Sequence, residues 1–307
     1  MTLTDLRYIV ALARERHFGR AAEKCFVSQP TLSVAVKKLE EAFGVVLFER
    51  SPQEVRLTPV GARIVAQAEK VLAEAAQVGE IAAADRGPLV GPLRVGVIYT
   101  IAPWLLPRLV PLVKQRAPEM PLLLEENFTH RLVEKVKSAE LDLAILALPL
   151  EEPSLEVQPV YDEEFRLLMP AAHPWAKQQA IPTSALVDAQ LLMLGAGNCF
   201  RDQVLDLCAT ASSQAGVSPH VLEGSSLETI RHMVASGVGA TVMPAAAVDD
   251  IKARDPLLRV RPFRPPVPTR RVALACRASY PRHEAAELVR RAMLDCRLPG
   301  TRPVAKR

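Results

Sequence analysis

At 307 residues, 49% hydrophobic and only 5% aromatic, the chain is long enough for two or three domains with real cores and reads as an alanine- and leucine-rich globular protein. No apolar run approaches a membrane span, and the start MTLTDLRYIV carries charge early instead of following the basic, apolar, cleavage-site order of an export signal, so a cytoplasmic protein without membrane association is expected. The formal net charge is +4, and residues 1–65 hold ten Lys/Arg against seven Asp/Glu, so most of the positive excess sits at the amino end, where a polyanion would be met.

Leu6, Ile9, Val10 and Ala13 lay an apolar stripe along a helix from about residue 4 to 16. The run GRAAEKCFVSQPTLSVAVKKLEEAF (19–43) then reads as two helices joined by a tight turn. The first, over 20–25, carries Ala21 and Ala22, small enough for another helix to cross closely. After Phe26-Val27, Ser28 can cap the second helix, and Pro30 is tolerated in its first turn. Leu32, Val36, Leu39 and Phe43 recur at steps of four, three and four and form a buried stripe. Gln29, Thr31, Ser33, Val34, Lys37 and Lys38 are left outward. With Ser28 and Pro30 at its start, this face is the candidate DNA-binding surface, since short polar side chains suit base edges and lysines suit phosphates. The alternative is an ordinary amphipathic helix with a solvated basic face.

Gly44 can take the left-handed position that ends this helix. LFER (47–50) and VRLT (55–58) alternate like two short strands around Ser51-Pro52-Gln53, a wing whose Arg50 and Arg56 would meet backbone phosphates. Thr58-Pro59 opens a helix running to about residue 84. Ile64, Ala68, Val71, Ala75, Val78 and Ala82 alternate at steps of four and three, the 3.5-residue seam of a two-helix coil. At ~1.5 Å per residue such a rod spans about 40 Å, comparable to one turn of DNA between half-sites. It is read as a dimerising linker, followed by a hinge at Arg86-Gly87-Pro88 and Gly91-Pro92.

Beyond the hinge, strand-length apolar runs at 93–99, 122–126 and 141–148 alternate with helical segments at 102–115 and 131–139. The pattern predicts a mostly parallel sheet with helices on both faces. A second set follows: a strand at 166–169, a helix at 183–189, a strand at 191–194, a helix at 199–213, and a strand at 220–223 leading into a helix at 227–235. A strand at 272–276 and a helix at 284–296 close the chain. Two α/β halves with a cleft between them are expected, and ligands in such sheets sit at the carboxyl ends of strands. That rule selects Thr100, Thr129, the 195–202 loop and Ser225-Ser226.

These features together resemble the LysR-type transcriptional regulators over nearly the whole chain, and RHFGRAAEKCFVSQPTLSVAVKKLEEAFGVVLFERS (16–51) is close to that family's amino-terminal signature. The resemblance implies an α/β protein with an all-α winged helix-turn-helix amino-terminal domain and a two-lobed regulatory domain akin to periplasmic binding proteins. The corresponding division is a DNA-binding domain at 1–58, a linker helix and hinge at 59–88, lobe I at 89–163 and 268–307, and lobe II at 164–267. It further implies double-stranded DNA as partner, RNA polymerase as a second, and homodimers assembling to a homotetramer.

Five cysteines, an odd number in a chain expected to be cytoplasmic, argue against a structural disulfide framework. GNCFRDQVLDLC (197–208) resembles the redox segment of the family's OxyR-type peroxide sensors, whose paired cysteines oxidise to an intramolecular disulfide. By that resemblance Cys199 is the peroxidatic and Cys208 the resolving cysteine, Thr100 and Thr129 position hydrogen peroxide and water, and Asn198, Asp202 and His220 complete the site. The subgroup often has histidine where this chain has Asn198. The residues themselves allow a compatible reading: Cys199 follows a glycine-rich turn at a helix start with Arg201 nearby, both of which favour a thiolate. Cys208 falls in an apolar set with Val204, Leu205 and Leu207 and is expected to be buried. A loop thiol and a core thiol are the plainer alternative, as helix capping is for Thr100, Thr129 and Asp202. Cys25, Cys276 and Cys296 read as packing residues.

No metal-ligand spacing, nucleophile elbow or phosphate-cradling loop is present in the sequence, so neither an enzyme nor a cofactor or metal is expected. A LysR-type regulator answering to a small organic effector in the cleft remains the alternative, with the same architecture and no cysteine chemistry.

Overall fold

A first helix, α1 (Leu3–Glu15), starts at a capping box in which the Thr2 hydroxyl accepts from the Asp5 amide and the Asp5 carboxylate accepts from the Thr2 amide. The computed structural model describes residues 1–50, 55–84, 87–212, 220–249 and 255–305, which fall into two compact units built on Met1–Asp85 and on Arg86–Val136 with Leu141–Arg307.

In the first unit α1 packs with α2 (Phe18–Lys24) and α3 (Gln29–Phe43) around Leu6, Ile9, Leu12, Leu32, Val36 and Leu39. Ser28 caps α3 by accepting from the Thr31 amide, Pro30 lies in its first turn, and Gly44 ends it at φ 67°, the left-handed geometry glycine takes without strain. Phe43 departs from the expected stripe: it is 37% exposed, because it is the last residue of α3 and lies past the stretch that packs on α1 and α2.

Strands β1 (Phe48–Arg50) and β2 (Val55–Leu57) pair antiparallel with Glu49 opposite Arg56. The wing tip at Ser51-Pro52-Gln53 lies outside the described residues, as does the Arg50 side chain. Glu40 ties the wing to α3 by accepting from the amides of Leu47 at 2.8 Å and Phe48 at 3.1 Å. Thr58 donates to the Val46 carbonyl and accepts from the Gly61 amide, so it both closes the wing and caps α4 (Pro59–Ala84).

Gly61 makes a close approach possible, since a Cβ there would stand 2.1 Å from the Leu47 carbonyl oxygen. Gly61→Ala is expected to destabilise this unit by about 1–3 kcal/mol, the usual cost of overpacking. An unchanged denaturation midpoint would rule this reading out. On α4, Ile64 and Ala68, the first two seam positions, pack into the unit's own core with Val65 and Leu72. Farther along, Val71, Val78 and Ile81 are 36%, 69% and 57% exposed. The Ala82 side chain lies outside the described residues.

The second unit begins with the segment expected as a hinge. The described part of it is a held turn: Arg282 donates to the carbonyls of Pro88, Val90 and Pro92 at 3.2, 3.1 and 3.0 Å. Arg86 lies outside the described residues. There follow β3 (Leu93–Ile98), α5 (Ala102–Arg116), β4 (Leu122–Asn127), α6 (Thr129–Lys137), β5 (Leu143–Ala147) and a long β6 (Leu155–Pro170). After two short 3-10 turns, one of them (Thr183–Asp188) where a helix was expected, come β7 (Gln190–Leu194), α7 (Cys199–Ser212), β8 (His220–Gly224) and α8 (Leu227–Ala235). The described chain closes with β9 (Thr241–Pro244), α9 (Ala245–Val248), β10 (Leu258–Pro262), β11 (Thr269–Arg277), α10 (His283–Asp295) and β12 (Thr301–Pro303).

The large sheet is mixed, not mostly parallel. Its order is β10-β6-β11-β5-β3-β4, with β9 and β12 also pairing to β6. Only β4-β3-β5 is parallel; β11 runs antiparallel to β5 and β6, and β10, β9 and β12 run antiparallel to β6. The cause is the sixteen-residue β6, most of which reads as loop in sequence because Pro159 and the acidic run Asp162-Glu163-Glu164 interrupt its apolar pattern. Each of those carboxylates meets an arginine: Asp162 with Arg271, Glu163 with Arg270, and Glu164 with Arg166 and Arg302. β7 and β8 form a separate parallel pair.

Two hydrophobic cores result. One gathers β3, β5, α5, α6, α10 and the start of β6; the other gathers the end of β6, β7, α7, α8 and β10. No helix among the described residues is long and apolar enough to cross a membrane.

Candidate functional site

The glycine-bearing turn after β7 delivers Cys199 as the first residue of α7, where backbone N–H groups of the opening turn have no intrahelical acceptor. Gly197 sits at φ 90°, and Asn198 holds the turn by donating from Nδ2 to the Gly195 carbonyl at 3.0 Å. Cys199 is half-buried and lines a small pocket of about 10 Å³ with Ile98, Thr100, Phe128, Thr129 and Asn198. Thr129, the first residue of α6, donates its hydroxyl to Cys199 Sγ at 3.5 Å. Three strand-end residues chosen from sequence, Thr100, Thr129 and Asn198, thus converge on the sulfur.

Thr100 is 3% exposed and does not cap α5, whose N-cap is Ile101 without a side-chain bond. Its hydroxyl instead accepts from Arg270 Nη1 and its carbonyl from Arg270 Nη2, both at 2.9 Å, which leaves the hydroxyl proton available to the pocket. Arg270 is held in turn by Glu163, with Nε to Oε2 at 2.8 Å and Nη2 to Oε2 at 2.7 Å, and both side chains are at most 2% exposed. The remaining Glu163 oxygen accepts from the Ala246 amide, and the Arg270 guanidinium lies 5.3 Å from the ring centroid of Phe200, the neighbour of Cys199. One buried cation therefore braces the pocket hydroxyl and the start of α7 together.

Other expectations resolve differently. Arg201 turns away to the Leu194 carbonyl at 2.9 Å and the Glu223 carboxylate at 2.5 Å, so its charge is directed to Glu223 and not to the thiol. Asp202 lies exposed in the first turn of α7. Ser226 caps α8 by accepting from the Thr229 amide, and Ser225 approaches the Thr229 hydroxyl at 3.4 Å. Neither serine is among the residues lining the Cys199 pocket. The His220 side chain lies outside the described residues.

Cys208 is 2% exposed, and burial pushes its thiol up to about 11, so it is protonated at neutral pH. No disulfide joins any of the five cysteines. Both Cys199 and Cys208 lie in the continuous helix α7, nine residues apart. That places them about 13 Å apart along the axis, whereas a disulfide tolerates Cα separations of only ~4.4–6.8 Å.

On the first unit, Gln29, Pro30, Thr31, Lys37 and Lys38 are exposed and Ser33 is half-buried along one side of α3. Val34 shares that side at 54% exposure. The hydroxyls of Ser28 and Thr31 lie 2.8 Å apart, and Lys37 lies 3.8 Å from Glu41. Arg56 is exposed on β2.

Residues 3–62 match the bacterial regulatory helix-turn-helix proteins of the lysR family, and residues 86–296 match the LysR substrate binding domain. The chain belongs to the LysR family of bacterial regulators. Among relatives, it is 39% identical over 298 residues to the DNA-binding transcriptional dual regulator OxyR of Escherichia coli K12, covering 96% of each chain. It is 41% identical over 298 residues to a probable hydrogen peroxide-inducible genes activator of Streptomyces viridosporus, covering 96% of this chain and 95% of that one. Among solved structures, full-length OxyR of Pseudomonas aeruginosa with a cysteine-to-aspartate substitution is 51% identical, with a TM-score of 0.76 over 100% of this chain and 99% of that one. A cysteine-to-serine variant of Corynebacterium glutamicum OxyR with hydrogen peroxide bound is 35% identical, with a TM-score of 0.64 over 96% and 93% of the two chains.

In this LysR-family chain the residues that sequence reasoning missed are Arg270 and Glu163. Arg270 lies two residues before the strand expected at 272–276, in a Thr-Arg-Arg run that looks like an exposed strand end. The usable signal was alternation: extending the strand two residues back puts Arg270 in phase with the inward Val272.

Proposed function

We propose that this LysR-family regulator senses hydrogen peroxide through Cys199 and Cys208 and converts their oxidation into altered DNA binding. The reading is carried by a half-buried thiol at a helix start, within reach of a threonine hydroxyl, sharing its helix with a second thiol that it cannot meet. The peroxide-related names of the relatives support the choice of oxidant.

Cys199 attacks as the thiolate: sulfur bonds to one peroxide oxygen, the O–O bond breaks, and the departing hydroxide takes a proton to leave as water. Thr129 orients the sulfur, and Thr100, fixed by Arg270, orients the peroxide. The product is the Cys199 sulfenic acid. Cys208 then attacks that sulfur, the S–S bond forms, the S–O bond breaks, and a second water leaves. Because the two sulfurs cannot meet on an intact helix, α7 must unwind for this step, and the unwinding is the signal. A cellular dithiol resets the switch. One oxidation followed by one reduction is sensing and not turnover, so the protein is no enzyme.

Residues 1–58 bind double-stranded DNA, with Ser28, Gln29, Pro30, Thr31, Ser33, Lys37 and Lys38 toward the groove and Arg50 and Arg56 toward phosphates. Residues 59–88 dimerise the chain through the exposed stripe around Val71 and Val78, and lobes 89–163 with 268–307 and 164–267 carry the switch. Two dimers form a tetramer that works with RNA polymerase in the cytoplasm.

Titrating thiols before and after stoichiometric peroxide tests the reading. Two thiols should disappear, with a mass loss of about two daltons for the two hydrogens of an intramolecular disulfide. An unchanged thiol count would favour an organic effector instead. Against that alternative stands the pocket beside Cys199: its room of about 10 Å³ suits a water-sized molecule and is far below the ~300–1,000 Å³ of most small-molecule sites.

A further inference from the structure

One turn after Cys199, α7 reaches across to the other lobe. Gln203 donates from Nε2 to the Leu148 carbonyl at 3.0 Å, just past the end of β5. The Leu148 peptide is itself fixed, because its amide donates to the Arg271 carbonyl of β11 at 2.8 Å. The other end of the Gln203 amide, Oε1, is buried without a hydrogen-bond partner among the described residues. The helix is therefore two-sided. Phe200, Val204 and Cys208 point into the core of the lobe that carries α7, while Cys199 packs against the opposite core and Gln203 bonds to its backbone. Residues 199 and 203, four apart, lie on one face.

We infer that Gln203 is a positioning residue that straps the first turns of α7 to the neighbouring lobe and gates the second step, disulfide formation. The inference rests on the proposed cysteine pair. While the strap holds, Cys199 stays beside Thr129 and can react with peroxide, but Cys208 stays buried. To let Cys208 attack the sulfenic sulfur, with water as leaving group, the helix must unwind through residue 203 and the bond to Leu148 must break. The strap thus opposes disulfide formation without touching the reacting atoms.

Gln203→Met keeps the length of the side chain and removes the donor. In the full-length reduced protein, amide exchange along α7 should quicken about five-fold, the factor carried by one ordinary hydrogen bond, while β3 is unaffected. After peroxide, disulfide formation should quicken by a similar factor. The first step, read as sulfenic-acid trapping by a dione probe in a Cys208→Ser background, should keep its rate. Unchanged α7 exchange overturns the strap. Equal acceleration of both steps also overturns it, because Gln203 would then act on Cys199 itself. If the unsubstituted protein forms no Cys199–Cys208 disulfide, the sensing proposal fails, and the exchange measurement on reduced protein still decides whether Gln203 holds the helix.

Discussion

Cys199→Ser is expected to fold, bind the same DNA, and lose its response to peroxide entirely. A serine hydroxyl fits the half-buried site beside Thr129 but offers no thiolate for the oxidant, so neither the sulfenic acid nor the disulfide can form. DNA binding followed by fluorescence anisotropy or footprinting, with and without peroxide, should give superimposable curves for the variant and a shift for the unsubstituted protein. A retained shift would sink the assignment of Cys199, whatever the fate of Cys208.

Arg270→Ala should be the most destabilising change near the site. It leaves Glu163 charged in an interior where its side chain is 2% exposed, and it removes both bonds to Thr100. Breaking a buried pair from one side costs about 3–5 kcal/mol, which for a unit of this size lowers the melting temperature by roughly 10 °C. The double change Arg270→Met with Glu163→Leu should recover most of that loss, because no charge remains buried. It should not recover fast oxidation of Cys199, because Thr100 still lacks its donor. Melting curves and sulfenic-acid trapping separate the two effects. A double variant that is stable and also reacts at the full rate would show that the cation serves the fold alone.

What could be read from sequence was local. The helix-turn-helix declares itself through caps and spacing: Ser28, Pro30, Gly44 and the Leu32-Val36-Leu39 stripe each sit within one helix, and each acts where expected. That Thr129 and Asn198 would lie beside Cys199 was legible because residues just past strand ends gather along one edge of the sheet. Arg270 and Glu163 were not, since the bond that joins them spans 107 residues and neither belongs to an apolar periodicity. Arg201 misled for the opposite reason. It is two positions from Cys199 in the chain, but Glu223, folded alongside from β8, takes its guanidinium. Phe43 continued a helical stripe by spacing alone, and spacing does not say where the covering elements stop.

The strand read from sequence only at its far end, residues 166–169, has the longest reach. β6 contributes Leu155, Val160 and Tyr161 to one core and Phe165, Leu167 and Met169 to the other, and its amides and carbonyls serve partners along its whole length. Neither lobe is therefore a detachable module. Stripping one away would tear a row of backbone partners from the other, so the pair share a single fate on heating. They also cannot come apart without breaking the backbone pairings of β6. On the proposed switch, a message written at Cys199 therefore starts on a helix whose lobe is stitched to its neighbour by one continuous strand.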